Sequence, residues 1–324
     1  MSTTPFPALP YESWTGTRET LHRFVQIVGK VRLAASPRRN HWWNVPLHLT
    51  GRGLTTRPMT TDGVRVFTID LDLVDHRLDL TTIEGGRWSF PLAGHSVATF
   101  WADLHAGLAA LDIDVRITAP TPFDLPDADR PFAEDTEHAT YDTAAATRYW
   151  TLLSQVNLLL EQFAARYSGK TSPVHHFWHT FDIAVTRFAE RTVHFTAETD
   201  PVTREAYSRE VISSGFWFGD DDTPEPAFYS YTAPEPDGLA EAALEPAAAR
   251  WVPARGAHLA VLRLSEAQAT GDPIAAALAF YESAYRAGAT RAGWDVEAAD
   301  CGSGTTDPVL NPTPSQATPS QEQQ

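Results

Sequence analysis

One cysteine, Cys301, stands in 324 residues. That excludes a disulfide framework and any zinc site built on several thiolates. Lysine is almost as scarce, at positions 30 and 170 only, so arginine carries nearly all of the positive charge. Even so, 25 basic residues face 41 acidic ones, a net charge of −16, which argues against a nucleic-acid partner or an anionic membrane. No apolar run approaches the roughly 18 residues of a spanning helix, and the first residues lack the basic and apolar regions of a signal peptide. A cytoplasmic chain is the expectation. Phosphate loops and Gly-x-Gly-x-x-Gly runs are missing, and Ser213 and Ser214 have no nucleophile elbow around them, so a hydrolase triad is unsupported.

What is present can build a core: 43% of residues are hydrophobic and 11% aromatic, which excludes global disorder. The expected organisation is a flexible N-terminus over 1–10, a single α+β domain over 11–300, and a disordered tail over 301–324. The tail is rich in Pro, Ser, Thr and Gln and has little to offset its ordering entropy. Within the domain, a Pro/Asp-rich connector at 119–142 separates one half (11–118) from another (143–300).

Leu21, Phe24, Val25, Val28 and Val31 have helical spacing over 17–35, with Arg18, Arg23, Lys30 and Arg32 on what reads as a solvated basic face. Ser36-Pro37 stops that helix, and residues 41–50 read as extended. Phe67, Ile69, Leu71 and Leu73 alternate with Thr68, Asp70 and Asp72, and Leu78 and Leu80 resume after a turn near Asp75-His76. That is a hairpin with one wet face. A strand near Trp88, a helix over 96–111 and a short strand over 112–117 complete the half. The second half offers a long amphipathic helix (143–167), a continuous strand through 175–187, and a hairpin from Val211–Phe218 and Ala227–Tyr231. A strand at 258–264 follows, then a helix opened by Asp272 and Pro273.

The halves share an order of features: a long helix, a Ser-Pro stop (36–37; 172–173), and His-aromatic-Trp (41–43; 176–178). An arginine comes nine residues after each Trp (Arg52; Arg187), then Phe-Thr strands (67–68; 195–196) and a late helix. The sequence therefore predicts an antiparallel sheet flanked by helices, built as two pseudo-symmetric α-β-β-β-α-β halves, with a pocket where equivalent strands meet.

The chemistry-bearing residues cluster in those paired segments. Read as a helix, His175, His179 and Asp182 fall on one face, as in His-x-x-x-His metal pairs. Read as a strand, His176, Trp178, Thr180 and Asp182 share a face opposite Phe177, His179 and Phe181, and the β-branched residues favour the strand. With His41, Trp43, Asn44, Arg52 and Arg187 they would line an aromatic, polar cavity suited to a small polar ligand. Arg52 and Arg187 could clamp a carboxylate or phosphate, or pair with Asp70 or Glu198. Glu210 could serve as a general base or sit solvated at a sheet edge. The aspartates at 220–222 lack the spacing of a calcium loop.

Ser-Pro-Val-His-His-Phe-Trp-His-Thr-Phe-Asp-Ile-Ala-Val-Thr-Arg-Phe (172–188) resembles the signature of a bacterial family catalogued as domain of unknown function 5996. Residues 210–217, 226–231 and 41–47 are similar to the same family, and the resemblance covers most of 5–298. It implies no activity. It does imply an aromatic residue where His176 stands, which makes His175 and His179 the better-supported pair. The leading expectation is binding of a small polar molecule between the halves, through His41, Trp43, Asn44, Arg52, His176, Trp178, His179, Asp182, Arg187 and Glu210, with no cofactor assigned. The alternatives are a hydrolase or lyase using His176 or His179 with Asp182, as acid/base or metal site, and an interaction module without a small-molecule site.

Overall fold

Strict alternation along Phe67–Asp72 places Ile69 and Leu71 on a buried face and Thr68 and Asp70 on an open one, and the same rule organises both sheets of the molecule. The computed structural model describes residues 5–220, 223–254, 256–302, 304–307 and 309. Ahead of the connector come α1 (Thr15–Ala35), β1 (His48–Leu49), β2 (Gly53–Thr55), β3 (Phe67–Asp72), β4 (Arg77–Thr82), β5 (Arg87–Pro91) and α2 (Val97–Ala110). After it come α3 (Thr143–Ala164), β6 (His175–Phe177), β7 (Asp182–Thr192), α4 (Pro201–Ala206), β8 (Arg209–Trp217) and β9 (Ala227–Ala233). The chain continues through β10 (Arg250–Ala254), β11 (Ala257–Arg263), α5 (Leu264–Ala269), α6 (Pro273–Arg291) and α7 (Val296–Ala299).

One sheet has the order β1-β2-β3-β4-β5 and the other β10-β11-β9-β8-β7-β6, with every pairing antiparallel. They meet edge to edge. Leu47 and His176 exchange backbone hydrogen bonds of 2.9 and 3.0 Å, so the short strands β1 and β6 form a seam. Helices cover one face of both sheets. In the first sheet Phe90 meets Phe100 of α2. In the second, Phe228 meets Tyr281 of α6, whose hydroxyl donates to the Gly215 carbonyl.

α3 and α6 start where the sequence predicts. The Asp142 and Asp272 side chains accept from the amides of Ala145 and Ala275, satisfying donors that a helix N-terminus leaves free. α1 differs in one respect. Its basic residues are buried (Arg18, Arg23, Lys30 and Arg32 are 6, 2, 8 and 5% exposed). The reason is that α1 is enclosed by α2, the connector and the turn after β6. Phe24 stacks on Phe100 at 4.1 Å, the Asp142 and Thr140 amides donate to Thr17 and Thr20, and Trp178 lies against Gly29.

Four other expectations change. The continuous strand over 175–187 is a hairpin: the chain reverses at 178–181, with Phe181 at φ 60 and its amide bonded to the Phe177 carbonyl. Residues 41–50 are not extended throughout. His41 and Trp42 are left-handed (φ 53 and 59) in a 3-10 turn, and only His48–Leu49 is strand. Residues 112–117 form no strand; the carbonyls of Leu111 and Asp112 accept from the Arg65 guanidinium, although Ile113 still reaches the core. Residues 195–196 lie past the end of β7, and Phe195 is exposed. At the N-terminus Phe6 and Leu9 are buried, while from residue 310 the expected tail lies outside the described residues.

Candidate functional site

The residues picked out in the sequence do not converge on one cavity. His41 Nε2 accepts from the Lys170 ammonium at 2.7 Å, and its Nδ1 faces the carbonyls of Glu205 and Ala206. Lys170 in turn lies over the rings of Trp43 and Phe188. Burial and the Lys170 charge hold the His41 pKa below its ordinary value. Arg52 pairs with Asp72 at 2.5 Å and Asp75 at 2.6 Å, not with Asp70. It borders a charged groove of about 530 Å³ on the helix-free face of the first sheet, with Arg77, Asp79 and Arg87. Arg187 is buried on the opposite side: it donates to the Phe163 carbonyl at 2.6 Å and lies 3.8 Å from Glu282, not beside Glu198. Glu210 accepts from Arg191 and from the Trp294 indole, which leaves it paired rather than poised as a base.

The His–Asp arrangement also resolves differently. Asp182 accepts from Tyr229 and Thr180, whereas His176 Nε2 is held by the Tyr149 hydroxyl at 2.7 Å. His176 points to the helices and Asp182 to the helix-free face, because β6 and β7 alternate about the turn. Asp182 acts on His179 only through its charge, against a burial that lowers the His179 pKa. Trp178 donates its indole N–H to the Val45 carbonyl at 3.1 Å. No single helix face presents His175, His179 and Asp182 together.

Among the described residues one triad of potential metal donors does exist: donor atoms of Asp127, Asp135 and His138 lie within 4.8 Å of one another. A guanidinium already serves it. Arg23 donates to both Asp127 oxygens, at 2.5 and 3.2 Å, and lies 3.6 Å from Asp135, while His138 Nδ1 sits 2.8 Å from Asp135. The cluster is a closed ion-pair network tying α1 to the connector.

The seam between the sheets is different. His48 of β1 and His175 of β6 lie side by side on the face away from Leu47 and His176, with ring centroids 5.0 Å apart and both side chains buried. Around them stand Arg32 from the last turn of α1, Arg39 from the segment after it, and Arg57 just past β2. Arg32 is buried and donates Nε to the Pro46 carbonyl at 2.6 Å. Arg39 and Arg57 are exposed at the rim; the Asn44 side chain holds the Arg39 amide, and Thr55 holds the left-handed Arg57 amide. Burial, the neighbouring imidazole and the three arginines push the His48 pKa down to about 2. Burial and the same arginines push His175 to about 3. Burial, Arg57 and Arg39 lower Arg32 to about 10. Both histidines are therefore neutral, and His175 Nε2 is buried without a partner among the described residues.

Comparison with known families gives one finding. A family model described as "Family of unknown function (DUF5996)" matches residues 6–301. The chain belongs to the DUF5996 family. Comparison with curated proteins and with solved structures gives no match. In this DUF5996 chain the segments at 172–188, 210–217 and 226–231 form β6 to β9, and 41–47 leads into β1, so those segments gather around the seam and the sheet beside it. Four seam residues, Arg32, Arg39, His48 and Arg57, were not singled out as a site from the sequence. Arg32 reads there as solvated, and the left-handed turn that lifts Arg57 toward the histidines has no glycine to mark it. Among the described residues, no helix is long and apolar enough to cross a membrane.

Proposed function

We propose that this protein binds a small polar molecule at the seam between its two sheets, where His48, His175, Arg32, Arg39, Arg57 and Asn44 stand. The observation that carries this reading is the fully buried Nε2 of His175, without a partner among the described residues, beside a buried arginine that has only one acceptor among them. A buried polar atom without a hydrogen bond costs about 1–3 kcal/mol, and native structures rarely tolerate several together; a ligand in the seam would complete the network. Of the residues chosen from the sequence, Asn44 belongs to this site as the support of Arg39. His176 stands behind it on the other face of β6, with its own Nδ1 unpartnered among the described residues.

A second part of the proposal is that the domain over 11–300 consists of two related halves joined by the connector at 119–142. It is supported by a constant offset of 128 positions between Thr15 and Thr143, the first residues of α1 and α3, and again between Leu47 and His175 and between His48 and His176. Under that offset the Leu47–His176 pair exchanges with the His48–His175 pair. A local two-fold axis would then run through the seam, and His41 would no longer correspond to His176.

The test is a thermal-shift screen of the full chain with classes of polar metabolites (sugars, nucleosides, amino acids, organic acids, phosphate esters), followed by calorimetric titration of those that stabilise it. Binding that disappears in His175→Asn is the expected result. A well-folded sample indifferent to every class would overturn the proposal.

A further inference from the structure

We infer that the group recognised at the seam is a multiply charged oxyanion of the phosphate class. This rests on the seam being the binding site and adds the chemistry of the ligand. In a chain with 41 acidic and 25 basic residues, many arginines pair with a carboxylate, Arg23, Arg52, Arg77, Arg130, Arg191 and Arg250 among them. Arg32, Arg39 and Arg57 take part in no ion pair among the described residues, although they lie close enough for the charges of Arg39 and Arg57 to weigh on Arg32. Three like charges around a partly buried point are held at a cost. An anion between them converts that repulsion into attraction.

The donor set suits an oxyanion. A guanidinium presents parallel N–H groups that match phosphate oxygens two at a time. The Arg32 side chain uses only Nε within the protein, which leaves its terminal nitrogens without a protein partner among the described residues. His48 and His175 add neutral imidazoles, each with one N–H to donate and no charge of its own, and the unpartnered His175 Nε2 is buried at this point. The rim arginines are exposed, so an anion arriving from solvent would meet them first. Three guanidinium charges with no carboxylate paired to them among the described residues favour a dianion over a monoanion. The overall charge of −16 offers no long-range attraction, so recognition must come from these contacts.

Calorimetric titration of the full chain with inorganic phosphate and with sulfate, at low ionic strength, tests this. The expected result is one saturable site for the dianions, at least tenfold weaker for nitrate, and weakened at least tenfold by Arg32→Gln and by Arg57→Gln. Arg38→Gln is the control, since Arg38 is already paired with Glu205 and its replacement should leave binding unchanged. Should Arg32→Gln fail to fold, the exposed Arg39 and Arg57 provide variants that do not touch the core. Absence of saturable binding by both dianions, or equal weakening by Arg38→Gln, would overturn the inference. If phosphate and sulfate fail while an uncharged polar compound binds and loses its site in His175→Asn, the oxyanion falls and the seam reading stands; if nothing binds, both fall.

Discussion

Gly29 sits in the middle of α1, where glycine costs about 1 kcal/mol against alanine in a helix by itself. Its reason lies 149 residues away: a Cβ there would approach the Trp178 ring at 2.2 Å. Trp178 cannot retreat cheaply, because its indole N–H is committed to the Val45 carbonyl. Gly29→Ala should therefore destabilise the protein by about 1–3 kcal/mol through overpacking, despite the better helix propensity. Gly51→Ala, with open space around the missing Cβ, should stay within about 0.5 kcal/mol. Urea denaturation of the two variants checks the pair. A stabilised Gly29→Ala would mean that Trp178 packs elsewhere. Nothing local in the sequence carried this information, for the same reason that Arg32 read as solvated: a helix pattern names an apolar stripe, and α1 is enclosed on more than one side.

Among the elements, what was legible followed from periodicity and caps. The β3–β4 hairpin, α2, α3, the β8–β9 hairpin and α6 all lie close to where alternation or helical spacing puts them, since each buries one face against the other layer. The β6–β7 turn was not legible because Trp178-His179-Thr180-Phe181 contains none of the usual turn residues. Phe181 accepts φ 60 while its ring is buried against Tyr149, Trp14 and His22. Here tertiary packing outweighs local preference. That misreading displaced the candidate site as well, because a strand running straight through 178–181 puts His176 and Asp182 on one face and the hairpin puts them on opposite ones. The contact that pins α3 to the seam is the Tyr149 hydroxyl on His176 Nε2, both fully buried. Tyr149→Phe keeps the ring stack on Phe181 and strands an imidazole nitrogen, so it should cost about 1–3 kcal/mol. A denaturant midpoint unchanged from the parent would show that a water or a turned imidazole takes the place of the hydroxyl.

For the whole molecule, the buried imidazoles set a dependence on pH whose sign is determined. Burial and neighbouring cations lower His48 to about 2 and His175 to about 3, burial lowers His176 to about 3, and His22 is also well below its ordinary value, mainly through burial. In the unfolded chain each titrates near 6.5. Below that pH the unfolded state takes up protons that the folded state refuses, so stability is full above about pH 6.5 and falls as pH drops toward 3. At pH 5 each such imidazole removes about 2 kcal/mol, and a few of them approach the whole stability of an ordinary domain, about 5–15 kcal/mol. The carboxylates do not blur this window. Asp127 and Asp72, lowered by their arginines and backbone amides against an opposing burial, lose their contribution only below about pH 4, and Asp70, raised by burial, works in the opposite direction near the same pH. Guanidinium denaturation at pH 7 and pH 5 should therefore give a midpoint that drops steeply, and the drop should shrink in His175→Asn. Equal midpoints at the two pH values would mean that these imidazoles are charged in the folded protein, and a charged His48–His175 pair among three arginines could persist only with an anion already seated in the seam.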